Sequence, residues 1–272
     1  MSKVGNLHIS APIFIVGLLL VGLACQTLVS TPTSAPTLSP QTATVPPGGG
    51  LTPLAQQVTL TSVAAQDSGS NPDFTITTQT PALTGNNDPR VKTFNDEMVS
   101  IVNKAVADFK QNVTELTATP VPITAPSTFD LRYSLVSPPG NIFSIKFEME
   151  GYVTGAAHPY HISQTINYDL EHGKDLSLAD LFVPNSDYLD LMAKYCTDQL
   201  SQRDIGFESF ELGATAMPQN YRSWNITADG LMITFDEYQV APYAAGPQTV
   251  IIPYGELGQL IQYQGPLAPY LP

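Results

Sequence analysis

Not one Asp, Glu, Lys or Arg lies between Lys3 and Asp67 of this 272-residue chain. A water-soluble domain surface needs interspersed charge, so a folded domain is not expected there. Bases are scarce throughout, 11 against 24 acids. All the acids and ten of the bases fall from Asp67 onward, which gives that part a formal charge of −14. Such a surface repels phosphate, so nucleic acid and anionic lipid headgroups are not expected partners, whereas a cationic protein or peptide is attracted. Solubility of a secreted protein gives an acidic composition a simpler explanation as well. Cysteine is nearly absent, with only Cys25 and Cys196, so no disulfide framework holds the fold. Catalytic signatures are missing too: no Gly-x-Ser-x-Gly elbow, no His-Glu-x-x-His and no phosphate loop.

No apolar run reaches the roughly 20 residues that a membrane-spanning helix needs. The apolar run that does occur, Ala11–Ala24, follows Lys3 and ends at Leu23-Ala24-Cys25. It has the length and flank of an export signal. Its end resembles a bacterial lipoprotein signal, in which Cys25 becomes the acylated N-terminus, although Gly22 and Leu23 depart from the usual large-then-small order. An uncleaved signal anchor is the other reading. Both place the rest of the chain outside the cytoplasm, held at the membrane by lipid or by the anchor. Residues 26–57 are mostly Thr, Ser, Pro, Ala and Gly. That composition cannot bury enough apolar surface to offset the entropy of ordering, so it reads as a stalk.

Beyond the stalk, periodicity defines the elements. Asp88 precedes Pro89 as a helix cap, and Val91, Phe94, Met98, Ile101, Ala105 and Phe109 then recur at helical spacing. A second helix is expected after Pro184, capped by Ser186, with Leu189, Met192, Cys196 and Leu200 inward. Cys196 is therefore expected as a buried core thiol. Strand alternation is clear at Phe129–Leu135, at Phe143, Ile145, Phe147 and Met149, and at Ile162–Leu170, with polar residues between. Asp229-Gly230 signals a hairpin turn. The expected fold class is α+β, an antiparallel sheet with amphipathic helices packed on one face. Its parts are residues 1–25 (signal), 26–57 (stalk), 58–127 (N-terminal subdomain) and 128–272 (C-terminal subdomain).

Three of the four histidines cluster at His158, His161 and His172. Pro159 disfavours helix, and in an extended chain an offset of three points His158 and His161 to opposite sides. His172 follows a strand of about eleven residues, which puts it tens of ångströms away. No metal ligand set and no cofactor are expected from this spacing. Asp236 and Glu237 are adjacent, so on a strand they face opposite ways and cannot flank one glycosidic bond. Solvation at a strand edge is the expectation for both. Recognition is more readily built from two loops, "TGAAHPY" and "YQVAPYAAGP". Gly, Ala and Pro fix their backbone path, and His158, Tyr160, Tyr238 and Tyr243 are the candidate contact residues. Framework packing of the same tyrosines is the competing reading.

Two segments, "GAAHPYHISQTINYDLEHGKDLSLADLF" and "GLMITFDEYQVAPYAAGPQTVIIPYGEL", together with "FTITTQTPALTGNNDPRVKTFNDEMVSIVNKAV", resemble a paired extracytoplasmic domain of unknown function. It occurs in the sensor region of the lysozyme-sensing anti-sigma factor RsiV and in the N-terminal part of the peptidoglycan deacetylase PdaC. The resemblance covers about Asp73 to Ile261, with 58–127 PdaC-like and 128–272 RsiV-like. It implies a non-catalytic envelope protein that binds or senses a lysozyme-like protein or a peptidoglycan fragment. Only Met1–Ser10 precede the apolar run and the chain stops at Pro272, so sigma-factor control and deacetylation are not expected to carry over. A peptidoglycan-acting hydrolase or deacetylase-related enzyme is the alternative, and a purely structural envelope protein a third.

Overall fold

The computed structural model describes residues 53–117 and 125–271. The chain enters through a 3₁₀ turn at Leu54–Gln56, inside the range read as stalk, with Leu54 and Ala55 packed on the first core. Residues 1–52, and with them the signal, Cys25 and most of the stalk, lie outside the described residues.

Six strands form the first sheet in chain order: β1 Thr59–Ser70, β2 Asp73–Thr84, β3 Ser127–Leu135, β4 Ile142–Tyr152, β5 Tyr160–Asp169 and β6 Lys174–Asp175. Every neighbouring pair is antiparallel except β2 and β3, which run parallel. Helix α1, Pro89–Thr117, lies between those two strands in sequence, and a crossover of that kind is what joins parallel neighbours. The Asp88 carboxylate accepts the Arg90 backbone N–H at 2.9 Å, which caps α1 where Pro89 predicted it. The expected stripe faces the sheet: Val91, Phe94, Met98 and Phe109 are buried against Phe129, Leu131, Phe143, Ile145, Phe147 and Met149. The subdomain boundary at 127/128 falls within this sheet.

The second body holds β7 Trp224–Ile226, β8 Leu231–Phe235 and β9 Gln248–Ile252. With them are α2 Tyr188–Leu200, α3 Tyr254–Leu257 and several 3₁₀ turns, around a core of their own. Gly230, at φ 155°, makes the β7–β8 turn, and an added Cβ would stand 2.2 Å from the Ile252 carbonyl oxygen. Helix α2 starts at Tyr188, later than a Ser186 cap would place it. Asn185, at φ 61°, turns the chain there, and the Ser186 N–H is taken by the Val183 carbonyl. Cys196 is fully buried, which pushes its thiol up to about 12.

The polar face of β4 and β5 is not wet along its length. Ser144, Ser163 and Asn167 are buried where β7 and the residue before it pack. Asn167 Nδ2 donates to the Trp224 carbonyl at 2.9 Å, and Asn225 Nδ2 donates to Ser144 Oγ at 2.9 Å. Side chains thus continue the hydrogen bonding from one sheet to the other. No helix among the described residues is long and apolar enough to cross a membrane.

Candidate functional site

Strand β4 ends at Tyr152, and a loop with Gly155 at φ 91° carries the chain back to β5. Strand β8 ends at Phe235, and the chain turns through Tyr238 at φ 64° before a 3₁₀ turn at Tyr243–Ala245. The left-handed region is costly for a bulky side chain, and residues held there concentrate at functional surfaces. These two loops meet.

His158 from the first loop sits against both tyrosines of the second. Its ring centroid is 3.9 Å from that of Tyr243, tilted by 33°, and 6.4 Å from that of Tyr238. The two phenol rings are 5.8 Å apart. His158 Nδ1 lies 2.7 Å from the Pro159 carbonyl oxygen, which can only accept, so Nδ1 carries the proton. Nε2 is then the acceptor for the Tyr238 hydroxyl at 3.3 Å. His158 and Tyr238 are exposed, and Tyr243 is half-buried. Burial first, then the fields of Glu237 and Glu150 among its neighbours, push the Tyr243 hydroxyl above its ordinary range, so it stays a neutral donor.

A clasp beneath the rings holds the loops together. His161 Nδ1 donates to Glu237 Oε1 at 2.6 Å, and the His161 backbone N–H donates to Oε2 at 3.1 Å. Two residues on, the Ser163 N–H donates to Asp236 Oδ1 at 2.9 Å. Asp236 and Glu237 therefore close the β5 edge side by side. The opposite-facing, solvated pair expected from strand parity does not occur, because the strand stops at Phe235 and both side chains are largely buried. The other imidazole nitrogen of His161 faces Glu150 at 3.6 Å, so the dyad ends on a carboxylate rather than a hydroxyl. Sequence reasoning missed Glu237 and Asp236 as partners of β5, and nothing local to "TFDEYQ" signals it.

Tyr160 lies apart from the trio. Its ring packs over its cross-strand partner Gly151, where an added Cβ would meet ring carbons at 2.2 Å. Asp108 of α1 is near enough to add to the upward shift that burial gives its hydroxyl. The tyrosine borders a groove of about 280 Å³ beside α1, with Ile101, Phe109 and Ile162. His172 is an exposed turn residue whose Nδ1 donates to Asp169 Oδ2 at 2.7 Å. Among the described residues no group of three or more His, Cys, Asp or Glu is arranged to hold a metal ion.

Residues 179–255, which include Glu237, Tyr238 and Tyr243, match the family model DUF3298, described as a protein of unknown function. That segment is similar to the DUF3298 family. The chain is also 26% identical over 180 residues to the peptidoglycan-N-acetylmuramic acid deacetylase PdaC of Bacillus subtilis, covering 65% of this chain and 36% of PdaC. It is 24% identical over 107 residues to the immunogenic protein MPT64 of Mycobacterium tuberculosis, covering 39% of this chain and 47% of that protein. The chain thus spans less than half the length of these relatives. The crystal structure of a DUF3298 member from Bacteroides fragilis superposes with a TM-score of 0.61 at 16% identity, over 78% of this chain and 96% of that one. That likeness is one of fold.

Proposed function

We propose that this chain is a non-catalytic, surface-tethered binding or sensing protein of the cell envelope, with a cationic wall-active protein such as lysozyme as its ligand. The convergence of His158, Tyr238 and Tyr243 from two loops carries the reading. Aromatic rings at the surface, two exposed and one half-buried, offer contact area at low entropic cost, and Glu150 and Glu237 beside them, on a strongly acidic chain, favour a basic partner. Relationship to PdaC, named for its action on peptidoglycan, supports an envelope setting and keeps a wall glycan as the second ligand class. Immobilised full-length chain incubated with a c-type lysozyme and, separately, with muropeptides separates the two. Lysozyme retention that falls as salt rises supports the reading, and retention of neither ligand sinks it.

The tether belongs to the same reading. Cys25 is the acylated residue in this account, so wild-type chain should take up labelled fatty acid and Cys25→Ser should not, while accumulating a larger precursor. Unlabelled wild type of unchanged mobility would point to an uncleaved anchor instead.

A further inference from the structure

Leu212 is the most exposed large apolar residue among the described residues, at 83%. A single exposed leucine is unremarkable by itself, but the backbone beneath this one is pinned at three successive carbonyls. The Leu212 carbonyl accepts from Asn220 Nδ2 at 3.0 Å and from Thr215 Oγ1 at 2.8 Å. The Gly213 carbonyl accepts from Gln239 Nε2 at 3.1 Å, and the Ala214 carbonyl accepts from the buried Tyr221 hydroxyl at 2.7 Å. Gly213 is wedged so tightly that an added Cβ would stand 1.7 Å from the Gln239 carbonyl oxygen. Gln239 directly follows Tyr238. The turn carrying Leu212 is thus built onto the loop that carries Tyr238 and Tyr243, and the backbone beneath its apolar tip is held in place.

The charges of the stretch that carries it, residues 204–221, have one sign. Asp204, Glu208 and Glu211 are exposed, and no Lys or Arg occurs between Arg203 and Arg222. Arg203 is engaged with Gln248 and the Thr249 carbonyl, and Arg222 with Asp236. A large exposed apolar side chain on a pinned backbone, in an acidic stretch of chain hydrogen-bonded to the loop of Tyr238, has the makeup of a protein-contact hot spot. A glycan, which offers hydroxyls along its edge, makes little use of an isolated leucine.

We propose that Leu212 is a second anchor of the recognition surface, docking into an apolar pocket on a basic folded protein, while the trio engages the same partner alongside. This rests on the function proposed above. Because its backbone is already fixed, the anchor adds affinity with little ordering cost. The test is titration calorimetry of the full-length chain in detergent with a c-type lysozyme, comparing wild type, Leu212→Ser, Leu212→Met and Tyr243→Ala. Leu212→Ser should weaken binding by about tenfold or more at unchanged melting temperature, and Leu212→Met, which keeps the apolar bulk, should bind within about twofold of wild type. Leu212→Ser binding like wild type while Tyr243→Ala loses binding would overturn the anchor and leave the trio's role intact. No binding by wild type would overturn both. Equal losses in Leu212→Ser and Leu212→Met would assign the effect to the turn's shape and also overturn it.

Discussion

Tyr238 holds an unfavourable backbone conformation at φ 64° while its ring stands more than half exposed. A left-handed residue costs roughly 1–2 kcal/mol unless it is Gly, Asn or Asp, so this tyrosine is poorly explained by stability. Tyr238→Asn should therefore melt at the same temperature as wild type or slightly above, by differential scanning fluorimetry. A drop of more than about 5 °C, the equivalent of about 1–2 kcal/mol in a domain of this size, would show the ring to be structural framework. The trio's members were legible because aromatic residues in Gly-, Ala- and Pro-rich loops carry a recognisable composition. Tyr160 had the same local signal yet packs over Gly151, since its position in the β4–β5 register puts it opposite a residue without a side chain. Glu237 was illegible for a different reason. Its partner His161 lies 76 residues away, and its direction depends on where β8 stops.

Elements with strong periodicity could be read directly. Helix α1 and strands β3, β4 and β5 appear where alternation and capping placed them, and the Asp229-Gly230 turn joins β7 to β8. Strand β1 gave no such signal, because it is an edge strand exposed along most of its length and needs no apolar face. Its pairing along all of β2 supplies the order that composition does not. The buried polar face of β4 and β5 also escaped notice, since Ser144 and Asn167 look solvated until Asn225 and Trp224 arrive from β7. At the junction of α1 and β6, burial and then the neighbouring Asp175 push the Glu97 carboxyl up to about 8 from 4.5. A raised acid keeps its proton in the folded state after the unfolded chain has lost it, so stability falls as pH rises from about 4.5 to about 8. Glu97 is half exposed, so solvent moderates the effect. Glu97→Gln should flatten the dependence of melting temperature on pH over that interval and melt higher than wild type at its alkaline end. An unchanged slope would place the titrating group elsewhere.

At the scale of the molecule, two cores are joined by side-chain hydrogen bonds, and the aromatic trio sits where loops from both meet, over the His161–Glu237 clasp. That position suits recognition, because a surface seated on two packed sheets needs little ordering when a partner arrives. In the proposed function, excess acid over base from Asp67 onward would attract a basic protein at long range and the rings would make the contact. The most direct test is calorimetric titration of full-length chain with a c-type lysozyme, wild type against Tyr243→Ala, with a melting curve for each. Tyr243→Ala should cost about 2 kcal/mol or more of binding, the range of a hot-spot residue, while its melting temperature stays within about 2 °C of wild type. Undiminished affinity in a stably folded Tyr243→Ala would contradict the account, as would a large loss of stability that assigns the ring to the framework.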